Sequence, residues 1–240
     1  MKIAIVCCLH GNEKYGLEVL KGLPSAFSFF IGNKRAMIEN KRFIDSDLNR
    51  CFPGKPHGNY EEKRAFELVK SLKDFDYVID LHSSSNNCSL FGIITKPNTE
   101  KIEFAKRLGL KRLVIMPKNF ASGQALIDFT KCGISLEIGP HKNKDNVRKV
   151  SEKIKNLLEN KGKNNNLEIF EVFGKLIKKY DKVLINNFDF VKMGQPITEN
   201  FEGDRQFAEF DFVAILVDEE SYGNVLCLVG KQVNLKVMKD

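Results

Sequence analysis

The chain has 240 residues, 42% apolar and 29% charged, enough for one full hydrophobic core, which excludes a disordered or fibrous protein and a minimal disulfide scaffold. No stretch approaches the roughly 20 apolar residues that span a bilayer, and Met1–Val6 runs straight into a strand without a cleavage site, so a cytoplasmic protein without a membrane partner is expected. Thirty-eight Lys and Arg against thirty-one Asp and Glu leave +7, but the lysines are interspersed with carboxylates and Trp is absent, so no nucleic-acid partner is expected.

Short apolar runs alternate with amphipathic stretches through the first two thirds, the pattern of an α/β fold with a mostly parallel sheet covered by helices on both faces. The first strand, Ile3–Cys8, is followed by His10-Gly11-Asn12-Glu13, and a helix is expected over Glu13–Lys21. Ligands bind beyond the carboxyl ends of strands in such sheets, so His10 and Glu13, three apart, can converge on one ion. A carboxylate that merely suits the helix dipole is the plain alternative.

After a strand at Phe27–Ile31, the segment Lys41–Gly54 is dense in charge without helical periodicity. Its Arg42 and Arg50 suit anion recognition, since a guanidinium holds a carboxylate or an oxyanion, against solvated loop charge as the alternative. A helix at Tyr60–Leu72 leads to Tyr77–Leu81, a buried-looking strand that ends in His82 and a run of small polar residues. His82 can complete a His, Glu, His set with one open position, Asp80 on the same side can orient it, and a turn-capping histidine is the alternative. Leu90–Ile94, a helix at Glu100–Leu108 and Leu113–Met116 precede Ile134–Ile138, where Glu137 interrupts apolar residues. A lone carboxylate there is costly unless it has a partner or a chemical role, such as a general base, with a salt bridge to Lys131 as the alternative.

A helix over Asp145–Asn160 ends in an Asn- and Gly-rich break, 160–166, beyond which short β-like pieces are punctuated by glycines. Two units are expected: residues 1–162 as the catalytic domain and 163–240 as a small β-rich C-terminal domain covering the site. The six cysteines contain no CxxC pair and read as reduced thiols.

The ordered set His10-Gly11-Asn12-Glu13, Arg42-Phe43-Ile44-Asp45-x-Asp47-Leu48-Asn49-Arg50-x-Phe52, Asp80-Leu81-His82 and Glu137-Ile138-Gly139-Pro140 resembles the aspartoacylase and succinylglutamate desuccinylase family, a branch of the zinc carboxypeptidase-like fold. The resemblance implies one Zn2+ per chain held by His10, Glu13 and His82, with Glu137 as the base that activates water. It implies Arg42 on the scissile carbonyl and Asn49 and Arg50 on the substrate's α-carboxylate. Tyr222, in Val217-Asp218-Glu219-Glu220-Ser221-Tyr222, would reach over the pocket. The activity implied is a zinc-dependent amidohydrolase acting on a small acidic N-acyl-amino acid, like N-acetylaspartate or N-succinylglutamate. The family's aspartoacylases carry a further arginine about ten residues before the base, and Gly123–Asp128 here contains none. A metallocarboxypeptidase acting on a short peptide-like conjugate and a non-catalytic zinc-binding module are the competing readings, and a homo-oligomer is compatible with any of them.

Overall fold

The computed structural model describes residues 1–117, 123–140, 143–159 and 161–234. Its first half runs β1 (Ile3–Cys7), α1 (Tyr15–Lys21), β2 (Ser28–Ile31), α2 (Lys34–Glu39), α3 (Tyr60–Leu72), β3 (Tyr77–Ser84), β4 (Phe91–Ile94), α4 (Thr99–Arg107) and β5 (Arg112–Ile115). The second continues with β6 (Cys132–Pro140), α5 (Lys144–Glu159), β7 (Glu168–Ile177), β8 (Lys182–Val183), β9 (Phe190–Val191), β10 (Pro196–Glu199), β11 (Arg205–Phe207), β12 (Phe212–Ile215) and β13 (Val225–Val233). Single 3-10 turns lie at Leu48–Arg50, Leu126–Phe129 and Glu220–Tyr222.

Ten strands make one sheet in the order β2-β1-β3-β6-β4-β5-β7-β13-β12-β9, and β11-β10-β8 form a second. β2, β1, β3 and β6 are mutually parallel, as are β4, β5 and β7, while β4 is antiparallel to β6. The sheet is therefore α/β and mostly parallel in its first half, as expected. Beyond β7 every pairing in it is antiparallel. Among the described residues, no helix is long and apolar enough to cross a membrane.

Side-chain alternation sorts the sheet into two faces. Ile79 and Leu81 of β3 and Ile134, Leu136 and Ile138 of β6 pack with α1, α4 and α5 through Val19, Phe104, Val150 and Ile154. Ala4, Val6 and Val78 pack on the other face with Ala65, Leu68 and Leu72 of α3. On that second face the core gives way to Asp80 and His82 on β3, and Ser135 and Glu137 on β6, as the strands approach their carboxyl ends. Asn59 caps α3 by accepting from the Glu62 amide, and Glu62 returns the bond to the Asn59 amide, which fixes where the helix begins.

The expected elements differ from the observed ones mostly at their ends. α1 starts at Tyr15 because Gly11–Lys14 forms a turn closed by Glu13 N–H on the His10 carbonyl at 3.1 Å, so Glu13 stands before the helix. Gly11 lies against α2, where a Cβ would sit 2.1 Å from the Ala36 carbonyl carbon. β3 runs on to Ser84, which makes His82 a strand residue rather than a turn cap. α2 and β9 to β11 escaped notice because two to six residues show no periodicity. Asn160, at the expected break, lies outside the described residues.

Candidate active site

Adjacent parallel strands bring their carboxyl ends to one place, and β1, β3 and β6 are adjacent. His10 and Glu13 leave β1 there, His82 ends the inward row of β3, and Glu137 pairs with His82 in register on β6. Donor atoms of His10, Glu13 and His82 lie within 4.8 Å of one another, and all three residues are buried.

Each of the three is held from behind. Glu13 offers Oε1 to His10 Nδ1 at 2.6 Å and Oε2 to His82 Nδ1 at 3.1 Å, and the Ser83 amide donates to Oε2. His10 Nε2 meets Asp47 Oδ1 at 3.1 Å, and His82 Nε2 meets Asp80 Oδ2 at 2.7 Å, to which Ser135 Oγ also donates. Each ring nitrogen thus faces a carboxylate; with a cation bound on the Nδ1 side, Asp47 and Asp80 would hold the remaining proton on Nε2, the arrangement that metal-ligating histidines adopt. Two imidazole nitrogens with one carboxylate oxygen suit zinc. The residues thus fit a divalent cation.

The titration of these groups follows from their crowding. Burial works against charging His10 and His82, but Glu13 with Asp47, and Asp80 with Glu13, outweigh it and raise both imidazoles. Burial likewise opposes ionisation of Glu13, which the two histidines nonetheless hold well below the carboxylate range. Glu137 behaves differently: burial, aided by the negative charge of Glu13 and Glu219 against the pull of His82, pushes it up to about 7. Tyr222 is pushed up to about 12, chiefly by burial, and stays a neutral O–H donor.

The loop before α3 supplies the cations. Arg42 donates to Asp47 Oδ2 from Nε at 3.3 Å and Nη2 at 3.1 Å, and reaches Glu13 Oε1 at 3.5 Å. Asn49 accepts the Leu126 amide at 2.9 Å, and Arg50 Nη1 donates to the Asn49 carbonyl at 2.9 Å. Beneath them Glu61 on α3, fully buried, accepts from Asn33 Nδ2 and from the amides of Ile44, Asp45 and Ser46 at 2.7 to 3.3 Å.

A cavity of about 300 Å³ opens beside the cluster and gathers all the expected site residues: His10, Glu13, Arg42, Asn49, Arg50, His82, Glu137 and Tyr222 line it. Ile93, Met116, Ile127, Leu216, Val225 and Leu228 give it an apolar lining, and Lys175, the register partner of Leu228, also lines it. Sequence reasoning missed the parts played by Asp47, Glu61 and Glu219. Asp47 stood inside a quoted motif, and that was its only signal.

Comparison with known proteins identifies relatives of the chain. Residues 1–160 match the model of the succinylglutamate desuccinylase/aspartoacylase catalytic domain. The chain is 27% identical over 170 residues to N-acyl-aromatic-L-amino acid amidohydrolase (carboxylate-forming) B of Danio rerio, covering 58% of this chain and 54% of that protein. It is 28% identical over 162 residues to a probable aspartoacylase of Acaryochloris marina (strain MBIC 11017), covering 58% and 55%. The chain thus spans about half the length of the curated relatives it matches. The crystal structure of murine aminoacylase 3 superposes with a TM-score of 0.79 at 21% identity, over 97% of this chain and 95% of that one, which shows a shared fold.

Proposed function

The chain belongs to the succinylglutamate desuccinylase/aspartoacylase family, and from that premise we propose that it is a zinc-dependent amidohydrolase releasing an amino acid from an N-acyl-amino acid. The observation that carries this is the convergence of His10, Glu13 and His82 at the mouth of a cavity also lined by Glu137 and Arg42. One zinc per chain, held by those three residues, supplies Lewis acidity toward water and the amide carbonyl.

Glu137 takes the proton of the attacking water on a carboxylate oxygen and returns it to the leaving nitrogen. A carboxyl poised near neutrality suits both halves of that transfer. Arg42 faces the developing oxyanion, and Asp47 keeps its guanidinium in place. Asn49 and Arg50 hold the α-carboxylate, which makes every such substrate an acid. Tyr222 donates its O–H from the roof. In this reading residues 1–162 form the catalytic unit and 163–240 the β-rich part that covers the site, since Leu216, Tyr222, Val225 and Leu228 close the far side. A cavity of about 300 Å³ under such a cover supports a small substrate over a peptide.

The test is the zinc-loaded protein against a panel of N-acyl-amino acids, with Glu137→Gln beside it. Wild type should hold about one zinc and hydrolyse members of the panel. Glu137→Gln should keep the zinc and the fold while kcat drops at least ~100-fold, the scale of a lost general base. Full activity in Glu137→Gln, or full zinc content in His82→Ala, would falsify the assignment.

A further inference from the structure

Two arginines and one lysine line the cavity, and the arginines are already engaged. Arg42 is held by Asp47 and Glu13, while Arg50 donates to the Asn49 carbonyl and serves the proposed carboxylate clamp. Lys175 makes no side-chain hydrogen bond or ion pair with any described residue. Glu219, the lining carboxylate of the covering segment, offers both oxygens to the Ser85 amide rather than to Lys175. Lys96, 3.8 Å from Asp128 Oδ1, is not among the lining residues.

The place of Lys175 follows from the sheet. β5 and β7 pair only as far as Ile115 opposite Glu171, so the rest of β7 overhangs the end of β5 with β13 for its partner. Lys175 lies there opposite Leu228, exposed and yet lining the cavity, so it meets both solvent and pocket. A lysine so placed keeps its ammonium hydrated while the cavity is empty, whereas a charge buried without a partner is costly.

Strand order gives the direction from which a substrate reaches it. The sheet runs β3-β6-β4-β5-β7, and the lining residues His82, Glu137, Ile93, Met116 and Lys175 follow in that order. The proposed clamp stands at the first end, with Asn49 Nδ2 3.5 Å from His82 Nε2. An amide held there by its α-carboxylate presents its carbonyl to the cluster. Because amides are trans, its acyl chain leaves on the side away from the α-carbon. That chain runs past Ile93 and Met116 toward Leu228 and Lys175, an apolar path that ends at an unpaired ammonium.

We propose that Lys175 is a specificity-determining residue whose ammonium pairs with a carboxylate at the far end of the acyl chain. The preferred substrates are then amino acids acylated by a dicarboxylic acid, with a short methylene stem ending in the second acid. This rests on the amidohydrolase reading above and names the acyl class that reading leaves open.

The experiment measures hydrolysis of N-succinylalanine, N-glutarylalanine, N-succinamoylalanine and N-acetylglutamate by zinc-loaded wild type, Lys175→Met and Lys175→Arg. The succinamoyl compound keeps the shape of the succinyl one without its charge, and N-acetylglutamate moves the second carboxylate to the amino-acid side chain. Wild type should favour the better diacid compound over the succinamoyl one by at least about tenfold in kcat/KM, the scale of a hydrogen bond between charged groups. Lys175→Met should lose most of that preference through KM rather than kcat, because the carboxylate is present in ground and transition states alike. Lys175→Arg should restore it. Since Lys175 is exposed and unpaired, the melting temperature of Lys175→Met should match wild type, and its rates on the other two compounds should stay within about twofold. A uniform loss across the panel, no wild-type preference for a diacid over the succinamoyl compound, or a loss confined to N-acetylglutamate overturns the proposal. A protein that hydrolyses none of them defeats the amidohydrolase reading instead, and calorimetry with the unreacted compounds then decides. Tighter binding of N-succinylalanine than of its succinamoyl analogue, lost in Lys175→Met, sustains the Lys175 site, and equal binding overturns it.

Discussion

The loop 42–50 and the segment 216–222 both deliver side chains to the pocket, but the first is fastened from beneath and the second along an edge. Under the loop, the Glu61 carboxylate gathers four N–H donors out of reach of solvent. The segment is clasped at the surface. The Ser85 amide donates to both Glu219 oxygens at 3.0 and 3.2 Å, and the Glu220 amide donates to Ser85 Oγ at 3.0 Å. Leu216 and Asp218 both sit at φ near +51°, a region side chains other than glycine's rarely adopt, so the segment carries local strain that its clasp must offset. A buried charge that organises backbone fails all at once, whereas a solvent-facing clasp can yield in steps. Arg42 and Arg50 hang from the first kind of support and Tyr222 from the second.

The contrast breaks most visibly at Glu61. Glu61→Gln turns two acceptor oxygens into one and aims an N–H2 at backbone donors, so urea denaturation should show a loss of about 3 kcal/mol or more, with hydrolysis falling in parallel. A variant within about 1 kcal/mol of wild type would mean the loop is held elsewhere. Next come the carboxylates behind the histidines. Asp47→Asn and Asp80→Asn should each weaken zinc binding by about 10- to 100-fold in a competitive chelator titration. Asp47→Asn should in addition slow turnover of fully zinc-loaded protein, because Arg42 loses its anchor; equal rates at saturating zinc would separate the two roles. The smallest effect belongs to the clasp. Ser85→Ala removes one partly exposed hydroxyl acceptor and should cost at most about 1 kcal/mol while changing KM a few-fold. If Ser85→Ala matched Glu61→Gln in stability loss, the distinction between the two supports would collapse.

Much of this arrangement was legible because strands that end in polar residues announce themselves. His82 and Glu137 interrupt apolar runs, and in a parallel sheet such interruptions meet. The His10–Glu13 pairing was also readable, though its reason was not: the spacing closes a turn before α1 rather than a face of it. Glu61 hid in plain view, since a glutamate in a helix's first turn is accounted for by the dipole alone and only tertiary packing shows that it is buried. Strand order was equally silent. That β6 lies between β3 and β4, with β4 reversed, depends on pairings 40 to 60 residues apart that periodicity does not encode.

The reversal between β6 and β4 has a consequence for heredity. It sets a seam across one face of the sheet, with His82, Asp80, Glu137 and Ser135 on one side and Ile93, Val114 and Met116 toward the other. On the proposed reading, the residues of the cation cluster and the apolar residues of the cavity belong to different strands and different stretches of the gene. Val114 and Met116 lie a strand further away than Ile93, which pairs directly with Ser135, and substitutions at distant sites combine more nearly additively than those in contact. If the proposed activity holds, a lineage could exchange the outer part of that apolar side, one residue at a time, and shift its substrates without retuning its chemistry.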